Sequence, residues 1–209
     1  MAWGAPGELV DRFLLLSALV GLLWGAVGSH RVLHQPRYRP PTTPSDYELP
    51  WEPLSLQTLD HLSISGWLIR SPGQSPVGTL LLLHGLGTAK ADLLDLAQAL
   101  HRRGLFHLIL IDFRAHGESG GTAFSYGKGE VLDVGAVLDF LSREPSLRLF
   151  PVGVLGISMG GAIGLQAAAR FPQIRALVAD STYADLPKAI ARTQWMTYHI
   201  PRVPLGQMV

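Results

Sequence analysis

From about residue 54 onward the chain alternates two apolar patterns. Leu54–Asp60 ("LSLQTLD") and Leu62–Arg70 ("LSISGWLIR") alternate apolar and polar positions about Asp60-His61, which predicts an antiparallel hairpin. Gly78–Gly85 ("GTLLLLHG") and Phe106–Asp112 ("FHLILID") are short continuous apolar runs, the pattern of strands covered on both faces, and Pro151–Gly156 ("PVGVLG") and Ile174–Asp180 ("IRALVAD") also read as strands. Between them lie helical periods. Ala89–Gly104 repeats at Leu93, Leu96, Ala97 and Leu100, with Thr88 placed to cap it and Gly104 to end it. Lys128–Glu144 is amphipathic and stops at Pro145, and Met159–Arg170 is rich in alanine. Strands regularly followed by helices predict an α/β fold with a mainly parallel sheet.

The first 53 residues differ. Phe13 to Ser29 carries no charge and reaches the short end of the roughly 17–25 residues that span a bilayer, so residues 1–33 read as an uncleaved single-pass membrane anchor with its helix at about 13–29. Glu8 and Asp11 beside Arg12, with no small-x-small cleavage site, argue against a signal peptide, the reading that would make the protein secreted. Arg31, Arg37 and Arg39 outnumber Arg12 and the terminal amine, a bias that turns the globular part toward the cytoplasm. Residues 34–53 hold six prolines, which predicts an extended tether.

Composition narrows the function. The net charge is +1 with no basic block in the second half, so nucleic acid is not an expected partner. The absence of cysteine removes disulfides, thiolate metal sites and a cysteine nucleophile. No cofactor or metal is implied.

One stretch carries chemistry. Gly156-Ile157-Ser158-Met159-Gly160 sits where a strand ends and a helix begins. Flanking glycines allow the close backbone approach of a sharp turn, which lifts the Ser158 hydroxyl above the sheet at a helix N-terminus. His84-Gly85-Leu86 follows the first buried strand, and the N–H groups of Leu86 and Met159 are the natural pair to form an oxyanion hole, with His84 bracing its loop.

With Asp112-x-Arg114-x-His116-Gly117-x-Ser119 after the next strand, three motifs stand in order at element boundaries, and the chain resembles the alpha/beta-hydrolase superfamily. It is most similar to the serine-aminopeptidase and monoacylglycerol-lipase-like branch, including membrane-anchored members, from about Leu54 to about Leu186. Ala115 stands where the family usually has glycine, and Asp60-His61 replaces a common Asp-Gly. The resemblance implies a partial hydrolase domain over 54–209, with Ser158 as nucleophile and His84, Gly85, Asp112, Arg114 and His116 as loop-organising residues. The substrate it implies is a small-molecule or lipid-like ester, thioester or amide.

The triad order implied is Ser, then Asp or Glu, then His. After Asp180 no further buried strand is legible. Asp180 or Asp185 and then His199 match the order literally, but His199 lacks a strand to hold it. A serine without a base is a poor nucleophile, so the chain is expected to be C-terminally truncated, without its acid and base. The alternative is a non-catalytic, membrane-attached binding or scaffold module that kept the turn by descent.

Overall fold

The computed structural model describes residues 6–33, 36–189 and Arg192. Residues 36 onward form one unit built on a six-stranded sheet. Its strands are β1 (Glu52–Gln57), β2 (Ser63–Ile69), β3 (Gly78–Leu83), β4 (Phe106–Ile111), β5 (Val152–Ile157) and β6 (Ile174–Asp180). Their spatial order is β1-β2-β4-β3-β5-β6. β1 pairs antiparallel with β2 and β2 antiparallel with β4, while β4, β3, β5 and β6 run parallel. The expected hairpin and mainly parallel sheet are both present.

The apolar runs are strands because both sheet faces are covered. Leu81, Leu83, Ile109 and Ile111 join one core with Val134 and Val137 of α3 (Glu130–Arg143) and Ile163 of α4 (Met159–Arg170). Leu82, Leu108 and Leu110 point the other way, onto Leu94 and Ala97 of α2 (Leu94–His101). The register sets Leu81, Leu82 and Leu83 against Ile109, Leu110 and Ile111, and all six are fully buried. Each such side chain contributes about 1.5–3 kcal/mol by leaving water. Among the described residues the outer strand β6 pairs with β5 alone, and its Arg175, Ala176, Val178 and Ala179 are exposed.

Three local expectations change. The proline-rich segment is irregular, as its prolines require, but from Pro36 it lies against the domain rather than hanging free. Arg39 Nε donates to Gly117 O at 2.8 Å, and the Arg37 guanidinium donates to the carbonyls of Ser119 and Gly121. A short 3-10 turn over Pro44–Tyr47 then brings Leu49 into the core and Trp51 edge-on to Trp67. The loop's carbonyls lack sheet partners, and the arginines satisfy them. Second, Thr88 does not cap a helix. Its hydroxyl donates to Gly85 O at 2.9 Å, and the element starts as a 3-10 turn, Lys90–Leu93, whose Asp92 accepts from Ala89 N at 2.8 Å. Third, His61 and Ala115, the two departures from the family pattern, both adopt left-handed backbone, at φ 62° and 61°.

The N-terminal unit is α1 (Pro6–Leu33). Phe13, Leu14, Leu15, Leu16, Leu19 and Leu22 are among its exposed apolar side chains. Among the described residues, no helix is long and apolar enough to cross a membrane, so the span expected over 13–29 is corrected to an exposed apolar helix.

Candidate active site

The strand order reverses at β3. The connection from β3 runs through α2 on one face to β4, whereas β5 lies on the opposite side of β3 and leads into α4 on the other face. The carboxyl ends of β3 and β5 therefore flank the crevice where ligands bind in open α/β sheets. His84-Gly85-Leu86 leaves β3 there and Ser158 leaves β5. A Cβ built on Gly85 would lie 3.6 Å from the Cβ of Ser158, so the two turns touch.

Ser158 joins β5 to α4 with φ 53° and ψ −114°. An L-residue occupies this region only where its surroundings fix it, at a cost of order 1–3 kcal/mol. The glycines on either side admit the turn: a Cβ on Gly156 would stand 2.4 Å from the Gly160 carbonyl carbon, and one on Gly160 would stand 2.4 Å from Leu83 O. Ser158 is half-buried, and among the described residues no hydrogen bond engages its Oγ. Its carbonyl accepts from the N–H groups of Gly161 and Ala162 at 3.1 and 3.2 Å. Since the Ser158–Met159 peptide is planar and trans, the Met159 N–H points the opposite way, out of the N-terminus of α4. Among the described residues, neither this amide nor that of Leu86 is used in a hydrogen bond.

The loop carrying Leu86 is held by His84, which is fully buried. Phe113 N–H donates to Nε2 at 3.0 Å, so the ring proton resides on Nδ1, which faces Gly85 O at 2.7 Å. Burial, followed by the neighbouring His116, lowers its pKa to about 4, and the ring is neutral near pH 7. Gly87 takes φ 72° at the tip, and the Thr88 hydroxyl closes the turn onto Gly85 O.

The loop after β4 is crowded with charge and fully engaged. Asp112 accepts from Lys90 N at 2.8 Å, Lys90 Nζ at 2.6 Å and Glu118 N at 2.9 Å. Burial alone would raise its pKa, but the Lys90 ammonium outweighs burial and the net direction is down. Arg114 Nε and Nη2 donate to Asp133 Oδ1 at 2.9 and 2.7 Å, and its Nη1 and Nη2 reach Asp60 at 2.7 and 3.1 Å. The Arg114 hydrogen bond holds Asp60 down at about 2, while burial raises Asp133 to about 6 despite the same partner. His116 Nδ1 lies 2.9 Å from Arg114 O, and its ring packs at a tilt against those of His84 and Phe124. The hydrogen bonds of these residues stay within the loop and its supports, and none reaches Ser158.

The two described candidate acids, Asp180 and Asp185, make hydrogen bonds with their carboxylates to groups other than the Ser158 hydroxyl. The Asp180 backbone carbonyl accepts from Ser158 N at 2.8 Å, but its carboxylate accepts from Ser181 Oγ at 2.9 Å. Asp185 accepts from Lys188 N at 3.0 Å and also pairs with its ammonium. His199 lies outside the described residues. Among the described residues no histidine bonds Ser158, and no cluster of three or more His, Asp or Glu side chains is placed to hold a metal ion.

Sequence reasoning missed Lys90, Asp60, Asp133 and Thr182. Lys90 is 2% exposed; its ammonium bonds Ser65, Asp112 and Glu118 and lies 4.6 Å from the centre of the Trp67 ring. A cavity of about 150 Å³ beside it is lined by Arg39, Trp67, Lys90, Asp112 and Glu118, away from Ser158. Asp133 did leave a trace in the sequence, because it falls on the apolar face of its helix one position before Val134.

Comparison with known proteins gives this geometry a setting. A protein-family model of the alpha/beta hydrolase fold matches residues 78–199. Protein bem46 of Schizosaccharomyces pombe is 25% identical over 152 residues, 71% of this chain and 50% of that protein. Polyketide transferase ATR5 of Stachybotrys chlorohalonatus is 33% identical over 138 residues, 64% of this chain and 45% of that protein. The solved structure of Pyrococcus furiosus esterase Pf2001 superposes with a TM-score of 0.73 at 28% identity, covering 81% of this chain and 63% of that one. The chain spans about half the length of the curated relatives it matches.

Proposed function

Since the chain belongs to the alpha/beta hydrolase fold family, we propose that it is the nucleophile-bearing part of a serine hydrolase that cleaves an ester, thioester or amide. The observation that carries this reading is Ser158 itself. Among the described residues, its hydroxyl is unbonded at a strained strand-to-helix turn, and that turn and the one after β3 hold unused amides. Those amides are the groups an oxyanion needs, and such donors are worth about 10²–10³ in rate each.

In this reading Ser158 Oγ attacks the acyl carbon while its proton passes to a base. The carbonyl oxygen, now negative, rests on the N–H groups of Leu86 and Met159. The tetrahedral intermediate collapses, the leaving group departs with a proton, and water releases the acyl group by the same steps. The base and its acid partner are residues other than the described ones. A small-molecule or lipid-like acyl ester is the proposed substrate, and the esterase similarity supports it. Membrane attachment through α1 belongs to the proposal as well, supported by its exposed apolar side chains.

Reaction of the complete hydrolase, in which this chain is joined to the residues that supply its base and acid, with a fluorophosphonate probe followed by peptide mass spectrometry tests the reading. An adduct on Ser158, absent from Ser158→Ala, is expected. A folded protein that takes no label, or takes it elsewhere, overturns the assignment.

A further inference from the structure

The strained turn needs something to hold it, and part of that hold comes from the chain beyond β6. Ser158 N–H extends the β5–β6 ladder to Asp180 O. Two residues later Thr182 Oγ1 donates to Ser158 O at 2.7 Å, the shortest of the three hydrogen bonds this carbonyl accepts. Ser181, at φ 51°, turns the strand's end back toward the elbow. The absence of a side chain on Gly161 lets Thr182 come close, since a Cβ there would stand 3.0 Å from the Thr182 Cβ. Both main-chain polar groups of Ser158 are thus fixed from one side by three consecutive residues.

We infer that Thr182 is a positioning residue for the oxyanion-binding amide of Met159, an inference that rests on the hydrolase reading above. Ser158 O and Met159 N–H belong to one rigid trans peptide, so whatever aims the carbonyl aims the amide in the opposite direction. The two helix bonds pull Ser158 O along the axis of α4, and the Thr182 hydroxyl pulls it toward β6. Removing the hydroxyl leaves the carbonyl satisfied by Gly161 and Ala162, so the fold survives while the peptide plane tilts. A hydrogen bond accepted at the carbonyl also polarises the amide and strengthens its donation.

The test, made in the complete hydrolase with its base and acid present, is the rate of phosphonylation at Ser158 as a function of fluorophosphonate concentration, which separates the maximal rate from the half-saturating concentration. Thr182→Val is expected to lower the maximal rate about tenfold, as a slightly misaimed donor should, with half-saturation unchanged. Thr182→Ser keeps the hydroxyl and is expected to react at the wild-type rate. Thr182→Ala replaces Thr182→Val if the latter does not fold. A wild-type rate in the hydroxyl-free variant, or equal slowing in Thr182→Ser, overturns the inference and leaves the role of Ser158 standing. A wild-type protein that does not react overturns the hydrolase reading, and this inference with it.

Discussion

The turns that follow β4 and β5 open at the same end of the sheet and handle polarity in opposite ways. After β4 the chain packs Asp112, Arg114 and His116 within ten residues, buries all three, and matches Asp112 and Arg114 with partners from distant elements and His116 with a carbonyl of its own loop. After β5 it offers a single hydroxyl and the bare backbone around it, with Ser158 Oγ and Met159 N–H unpaired among the described residues. The richer loop is scaffold and the poorer one is the candidate site. A buried charge must be matched to be tolerated at all, so ionisable groups gather where the structure spends its hydrogen bonds internally. Groups left unmatched near a crevice are available to a substrate.

Substitutions should separate the two turns. Ser158→Ala is expected to abolish phosphonylation while changing unfolding free energy by less than about 1 kcal/mol, since it removes one half-buried hydroxyl. Asp133→Ala does the reverse. It takes away the buried one of the two carboxylates on the Arg114 guanidinium, leaving only the more exposed Asp60, and should cost about 3 kcal/mol in urea unfolding. If the two variants lost stability equally, the division between scaffold and site would fail.

His84 sharpens the contrast because it braces the site while belonging to the scaffold. Its pKa of about 4 lies below the unfolded value, so the unfolded chain gains a proton first as pH falls. The stability tied to its neutral form is full above about pH 6.5 and is lost, to the extent of about 3 kcal/mol, as pH falls toward 4. Its ring resonances should not titrate between pH 8 and 5 in NMR spectra. A midpoint near 6.5 would show that burial does not control the ring.

The smallest expected effects are at the two left-handed residues. His61→Gly relieves an L-residue at φ 62° on an exposed turn and should raise unfolding free energy by about 0.5–1 kcal/mol. Ala115→Gly relieves the same strain but strips a methyl from the core, so its gain in thermal unfolding should be smaller.

Periodicity carried the strands and helices well. Met159–Arg170 and Ile174–Asp180 were legible to the residue, because an alanine-rich helix and a short apolar run leave strong local patterns even where the strand, as in β6, is largely exposed. The serine turn was legible because close backbone approach demands glycine at fixed spacing. What stayed hidden depends on partners far along the chain. Nothing near Lys90 announces Asp112 and Glu118, nothing near Arg37 announces carbonyls 82 and 84 residues away, and nothing near Thr182 announces Ser158. The prolines of 36–53 leave this stretch without an α-helix, although a 3-10 turn forms over Pro44–Tyr47 and the edge strand β1 begins at Glu52. That they also implied a free tether did not follow, since arginine can anchor irregular backbone as firmly as a ladder does.

The most direct measurement is a crystal structure of the protein after reaction with a fluorophosphonate. The phosphorus is expected on Ser158 Oγ, with one phosphonyl oxygen about 2.7–3.1 Å from both Leu86 N and Met159 N. An adduct whose oxygens turn away from these amides, or a Ser158 side chain sealed off from the crevice between the ends of β3 and β5, would contradict the assignment.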